Sequence, residues 1–289
     1  MKRALAALLF LVTASAVTAA DKKIVFLAGG ASHGSGDHEH RAGCLLFQSC
    51  LEKFPGVVAE VHSNGWPANP EAAFAGAAVV VIYSDGGGGH PFLSDNRLQT
   101  IGALMKTGVG LVCLHYAVEP TKEKGQQEFL YWIGGCFEQH WSVNPTWRAE
   151  FKQFPAHAIT RGVKPFSVND EWYFHMRFRE GMEGVTPILA SVAPASTMNR
   201  PDGPHSGNPA VRESVKRGEP QVLAWARVRP DGGRGFGFTG GHFHRNWAND
   251  DLRKLVLNAI LWTAKTQVPA AGVDCKVTEE DLRRGLDRK

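Results

Sequence analysis

Four short apolar runs, each closed by glycine or a polar loop and separated by segments of helical spacing, limit what this chain can fold into. They are Lys23–Leu27, Val57–Val61, Ala78–Tyr83 and Gly110–Leu114. Strands that are apolar throughout are buried on both faces, which is the signature of a parallel sheet covered by helices. The intervening segments agree. Arg41–Lys53 reads as an amphipathic helix, Glu71–Gly76 as a short one, and Ser94–Lys106 as a third with apolar spacing at Leu98, Ile101, Leu104 and Met105. The expected class is α/β, a three-layer fold with a mainly parallel central sheet.

The second half is more β-like. Strands are expected around Ala149–Phe151, Phe166–Val168, Pro187–Val192, Val222–Arg227 and Gly235–Thr239. A last helix, Asp251–Ala264, carries Leu252, Leu255, Leu257, Ile260 and Leu261 on its apolar face. Asn199–Arg217, rich in Pro, Gly, Asn and Arg, reads as a long surface loop, and residues 269–289 as a peripheral tail.

Met1–Ala20 is set apart. Lys2 and Arg3, the apolar run Ala4–Val12 and the small residues Thr18-Ala19-Ala20 follow the layout of a cleavable secretory signal. A periplasmic or secreted protein is therefore expected, with a main domain over 21–268. Without Lys2 and Arg3 the net charge falls from +4 to +2. No dense basic stripe accompanies that charge, so nucleic acid is not an expected partner. No later apolar run approaches the roughly 20 residues that a membrane span needs. The five cysteines, Cys44, Cys50, Cys113, Cys136 and Cys275, are too few and too dispersed for a disulfide scaffold. Cys44 and Cys50 lie roughly 9 Å apart along one helix, too far to bridge each other.

Ligands of open parallel sheets sit beyond the C-terminal ends of the strands. Here those ends are loaded with ionisable groups. The first strand runs into Gly29–His40, which holds His33, Asp37, His38, Glu39 and His40. Imidazole beside carboxylate suits a divalent transition metal; a solvated loop with Asp37 as a helix cap is the plainer alternative. The third strand leads into Ser84–His90, with Asp85 and His90. The fourth ends at His115, followed by Tyr116 and Glu119. Two later segments add to this set. In Val168–Phe178, Asp170 and Glu171 sit among aromatic residues, and buried carboxylates are costly unless paired or coordinated. Glu171 suits a metal ligand or general base, unless a carboxylate pairs with Arg177 or Arg179. In Gly233–Trp247, His242 and His244 share one side if the backbone stays extended.

Trp141, Trp147, Trp172 and Trp247 lie close in sequence to these motifs, and aromatic faces stack well on sugar rings. His205, in Gly203–Pro209, is a weaker candidate. Cys113, between Val112 and Leu114, lacks the small neighbours that a nucleophile elbow requires, and no G-x-S-x-G surrounds Ser84. Covalent catalysis is not expected.

The ordered set Phe26–Gly30 (FLAGG), Gly108–Val118 (GVGLVCLHYAV), Pro155–Tyr173 (PAHAITRGVKPFSVNDEWY) and Gly235–Trp247 with Leu255–Trp262 resembles the ThuA-like family, named from trehalose utilisation. The likeness spans about Lys23–Ala264. It implies a flavodoxin-like sheet related to class I glutamine amidotransferases, with the cysteine elbow replaced by the His115 region. It also implies a role in disaccharide or glycoside catabolism through 3-keto-glycosides made by a partner sugar dehydrogenase. A divalent ion such as zinc is implied, and no nucleotide cofactor is expected. Carried onto this sequence, His115, Glu171 and His242 would hold the metal. Glu171, His115 and His33 would serve catalysis. His38, Asp85, His90, Tyr116, Glu119, Trp172, His244 and Trp247 would contact the sugar. A ketone at C3 acidifies the neighbouring C–H, so base-assisted elimination or hydrolysis follows without a covalent intermediate. The rival readings are a sugar-binding module without catalysis and a metal-dependent hydrolase of unoxidised glycosides or esters.

Overall fold

The computed structural model describes residues 21–289; the signal segment expected over Met1–Ala20 lies outside them. A seven-stranded sheet forms the centre. Its strands are β1 (Lys22–Ala28), β2 (Val57–His62), β3 (Ala77–Tyr83), β4 (Gly110–Leu114), β9 (Val185–Val192), β10 (Pro220–Val228) and β11 (Arg234–Phe238). They are ordered β2-β1-β3-β4-β11-β10-β9. The five strands from β2 to β11 run parallel, while β10 is antiparallel to both its neighbours.

Alternation along β1 explains the layers. Ile24, Phe26 and Ala28 face a core shared with α1 (His40–Leu51) and α6 (Asp250–Thr263), through Phe47, Leu252 and Val256. Val25 and Leu27 face the opposite core, shared with α2 (Pro70–Phe74), α3 (Arg97–Lys106) and α4 (Gln126–Trp132). A strand buried on both sides needs apolar residues at every position, and the sequence supplies them. The fold is thus a three-layer α/β arrangement of flavodoxin-like type. No helix among the described residues is long and apolar enough to cross a membrane.

Between the halves lie a two-residue pair, β5 (Gly135–Cys136) with β8 (Arg177–Phe178), and a separate antiparallel pair, β6 (Thr146–Phe151) with β7 (Phe166–Glu171). β7 runs three residues beyond the expected Val168. The polar Asn169-Asp170-Glu171 looks like a loop, but Trp147 pairs with Asp170 and Thr146 with Glu171, so the ladder carries these acids to its end.

One further expectation changes. Asn199–Arg217 is not loop throughout, because α5 (Pro209–Lys216) occupies its second half. Asn208 caps that helix by accepting from the Val211 N–H at 3.0 Å, with Pro209 in its first turn. The tail docks on the body: Cys275 forms a disulfide with Cys50 of α1 across 225 residues, and α7 (Glu279–Arg283) packs on α1. Residues that far apart carry no mutual spacing signal, which is why the pairing is not readable from the sequence.

Candidate active site

β2 and β3 flank β1 on opposite sides, so the chain reverses its direction of travel across the sheet there. Loops leaving β1 and β3 diverge at such a point and open a crevice above the strand ends. His38 comes from the loop after β1, Asp85 from the loop after β3, His115 from the end of β4, His242 from the segment after β11, and Glu171 from the end of β7.

Four of these converge. One donor atom from each of His38, His115, Glu171 and His242 lies within 4.8 Å of the others. The His38 Nε2 is 3.0 Å from both the His115 Nε2 and the His242 Nδ1. Glu171 Oε2 is 3.1 Å from the His242 Nδ1 and 3.5 Å from the His115 Nε2. His38 and His115 are buried, Glu171 and His242 partly so.

Hydrogen bonds behind the rings fix which nitrogens carry protons. His38 donates from Nδ1 to Asp85 Oδ1 at 2.7 Å, and His115 donates from Nδ1 to the Thr239 carbonyl at 2.9 Å. Both Nε2 atoms therefore present lone pairs, and these face each other. Burial pushes the His38 pKa down to about 4 despite the Asp85 bond, and pushes His115 well below the usual histidine range. Neither ring takes a proton readily at neutral pH, so neither Nε2 donates to the other. At Asp85 burial acts upward, but the bonds from His38 and Ser32 outweigh it and hold the carboxyl at about 2. Burial also lowers His242, and there the Glu171 carboxylate outweighs it, leaving His242 raised.

The backbone is arranged around this cluster. His38 and His115 both sit in the left-handed region, at φ 48° and 55°, which costs an L-residue roughly 1–2 kcal/mol. Strain of that kind persists only where the surroundings over-determine it. Asp170, fully buried, accepts from the Glu171 N–H at 2.8 Å, the Gly241 N–H at 2.8 Å and the His242 N–H at 3.0 Å. One carboxylate thus ties the Glu171 segment to the His242 segment. Burial raises its pKa, and the N–H donors oppose that rise. Neither arginine serves it: Arg177 pairs with Glu138 and Arg179 with Glu183.

Other expected residues divide. His33 lies at the outer rim, half-exposed, its ring centroid 3.6 Å from that of His38. Tyr116 meets the His38 ring edge-on at 6.1 Å. Glu119 is buried and accepts from Gln139 at 3.1 Å and from His205 at 3.0 Å. Four residues expected at the sugar are instead structural. His90 is buried and bonds the Ala117 carbonyl and the Phe92 N–H. Trp172 fills the core beside Phe151 and Phe238. Trp247 packs on Phe47 and Phe238. His244 turns away to the Leu282 carbonyl, because the chain leaves extended geometry after β11 and starts a 3₁₀ turn at His244. The sequence reading missed Tyr173, whose hydroxyl lies 3.3 Å from the His115 Nε2. Its position two residues after Glu171 was the available signal.

A polar cavity of about 320 Å³, lined by Asn144, Thr146, Ser196, Thr197 and Arg200, has Glu171 in its wall. A larger groove of about 520 Å³ between α3 and α4 contains none of the four donors.

The family described as ThuA, trehalose utilisation, matches residues 31–263. No curated protein matches the chain. Among solved structures, a ThuA-like protein from Bacteroides uniformis superposes with a TM-score of 0.58 at 14% identity, covering 87% of this chain and 95% of that one. At that identity the likeness is one of fold, and the family match carries the assignment. The chain belongs to the ThuA family.

Proposed function

We propose that this is an exported enzyme of glycoside catabolism that cleaves a 3-keto-glycoside with a divalent metal and a carboxylate base. The observation that carries this reading is the pair of Nε2 lone pairs, His38 and His115, facing each other at 3.0 Å with both Nδ1 protons committed elsewhere. Two lone pairs at that distance repel unless a proton or a metal cation joins them, and burial of both rings disfavours the proton. Three imidazoles and one carboxylate are a donor set suited to zinc, and each backing bond is of the kind that orients a ligating histidine. The residues present therefore fit the ion: His38, His115 and His242 would hold it through one nitrogen each and Glu171 through one carboxylate oxygen, leaving the other oxygen for base chemistry. When bound, such an ion acts as a Lewis acid on a carbonyl oxygen.

The chain's own residues do the rest. The polar cavity beside Glu171 offers hydroxyl-binding groups for a sugar ring. Glu171 takes the proton from the carbon beside the ketone. The C–H electron pair moves toward the C3 oxygen and then returns to expel the glycosidic oxygen from C1, which leaves as the alcohol with the proton that Glu171 took up. Water addition to the resulting enone completes hydrolysis. Export rests on the signal layout of Met1–Ala20 and is supported by the Cys50–Cys275 disulfide, a bond typical of oxidising compartments.

The test is metal content and turnover of a 3-keto-glucoside by wild type, His115→Ala and Glu171→Ala. We expect about one zinc per wild-type chain, loss of zinc and turnover in His115→Ala, and a drop in turnover of at least a hundredfold in Glu171→Ala. Folding is followed by circular dichroism. Full turnover in both folded variants overturns the reading.

A further inference from the structure

The segment after Cys275 reaches the loop that carries His38. Glu39, the next residue, has a fully buried carboxylate, and a buried charge must find partners. Its own loop supplies the Gly36 N–H at 3.0 Å. The other donors come from some 250 residues later: the Asp287 N–H at 2.7 Å and the Lys289 ammonium at 3.4 Å. That ammonium, itself nearly buried, also donates to the Asp37 carbonyl at 2.5 Å and the Gly34 carbonyl at 3.4 Å. The same segment accepts from Arg41 at the Gly285 carbonyl, 3.4 Å, and from His244 at the Leu282 carbonyl, 2.9 Å.

On its other side the loop is held by the His242 segment. The His38 N–H donates to the His242 carbonyl at 3.0 Å, and the His244 N–H to the Gly36 carbonyl at 2.9 Å. The loop is thus clamped from two directions, with His38 inside it at φ 48°. Left-handed backbone at a residue other than glycine costs roughly 1–2 kcal/mol and persists only under such restraint. The Cys50–Cys275 bond fixes the segment to α1, the helix that begins where the loop ends, and so keeps its local concentration high.

We propose that Lys289 and the Asp287 backbone are positioning groups for the donor cluster. They hold Gly34–Glu39 through the Glu39 carboxylate and the loop carbonyls, so that His38 presents Nε2 to His115 and His242. The disulfide keeps this strap in place. The inference rests on the metal reading only for its affinity arm.

The experiment compares full-length wild type, Lys289→Met, Lys289→Arg and Cys50→Ser/Cys275→Ser. In metal-free protein we measure amide exchange at Asp37, His38 and His244, together with the NMR ring resonances of His38, with buried His90 as the control. Zinc affinity is measured by chelator competition. Lys289→Met should speed loop exchange about tenfold, shift the His38 ring and leave His90 unmoved. Zinc binding should weaken on the order of tenfold, the usual scale for losing support behind a ligand. Lys289→Arg should restore both, and the double serine variant should move both in the Lys289→Met direction by less. Unchanged loop exchange and His38 shifts in Lys289→Met overturn the proposal, as does faster exchange with full zinc affinity. If wild type takes up no zinc, the metal reading fails by itself, and the His38 ring shift still decides whether the strap positions the ring.

Discussion

Asp85 never enters the four-donor set, yet it decides how His38 can act. Its 2.7 Å bond holds one ring nitrogen protonated and turns the other inward. Asp85→Ala should leave the fold intact and weaken zinc binding by about ten- to a hundredfold, measured by chelator competition. His205 governs the pH response of the 199–208 loop. It bonds buried Glu119 at 3.0 Å and stacks on Phe137, whose ring meets Tyr173 at 5.5 Å. The Glu119 bond raises its pKa; burial and Arg200 oppose this, and Glu171 adds to it. A histidine raised on folding contributes stability that is full below its unfolded pKa and is lost as pH rises through the folded value. Hydrogen exchange in the 199–208 loop should therefore accelerate beyond the intrinsic pH trend as pH climbs above 6.5, and Glu119→Gln should remove that dependence. At this scale much of the crevice was legible: His115, Glu171 and His242 stand in motifs whose chemistry is visible in one dimension. The role of Asp170 was not, because its partners are backbone N–H groups some seventy residues away. Nor was the fate of Trp172 or Trp247, since an indole reads alike whether it meets a sugar or fills a core.

The strands were readable because burial on both faces leaves nothing but apolar residues, and Gly110–Leu114 begins and ends where the sequence places it. Elements whose ends depend on tertiary partners were less so. β7 continues through three polar residues because β6 pairs with them. The turn after β11 shows how tightly such packing constrains the site. A Cβ at Gly240 would lie 2.4 Å from the Trp172 ring, which is itself anchored by its indole N–H to the Val168 carbonyl. The ring has nowhere to go. Gly240→Ala should cost about 1–3 kcal/mol, as overpacked cores do. It should also displace the His242 segment, so that thermal denaturation and zinc content fall together. Loss of stability with zinc stoichiometry and affinity intact would separate the two elements.

Across the whole molecule, one covalent cross-link joins the first helix to the segment after Val268. The loop closed by Cys50–Cys275 spans 225 residues, and cross-links of long loops stabilise chiefly by restricting the unfolded chain. Reduction, or Cys50→Ser/Cys275→Ser, should lower stability by about 2–4 kcal/mol. For a chain of this size that is a fall in Tm on the order of 5 °C, readable by calorimetry with and without reductant. The strap gives the molecule an order in time as well as in space. The Asp287 N–H that holds Glu39 is made 248 residues after it, an interval on the order of tens of seconds at ordinary rates of synthesis. Until then the histidine loop has only the His242 side of its clamp. The clamp on the histidine loop is thus completed by residues made long after the loop itself.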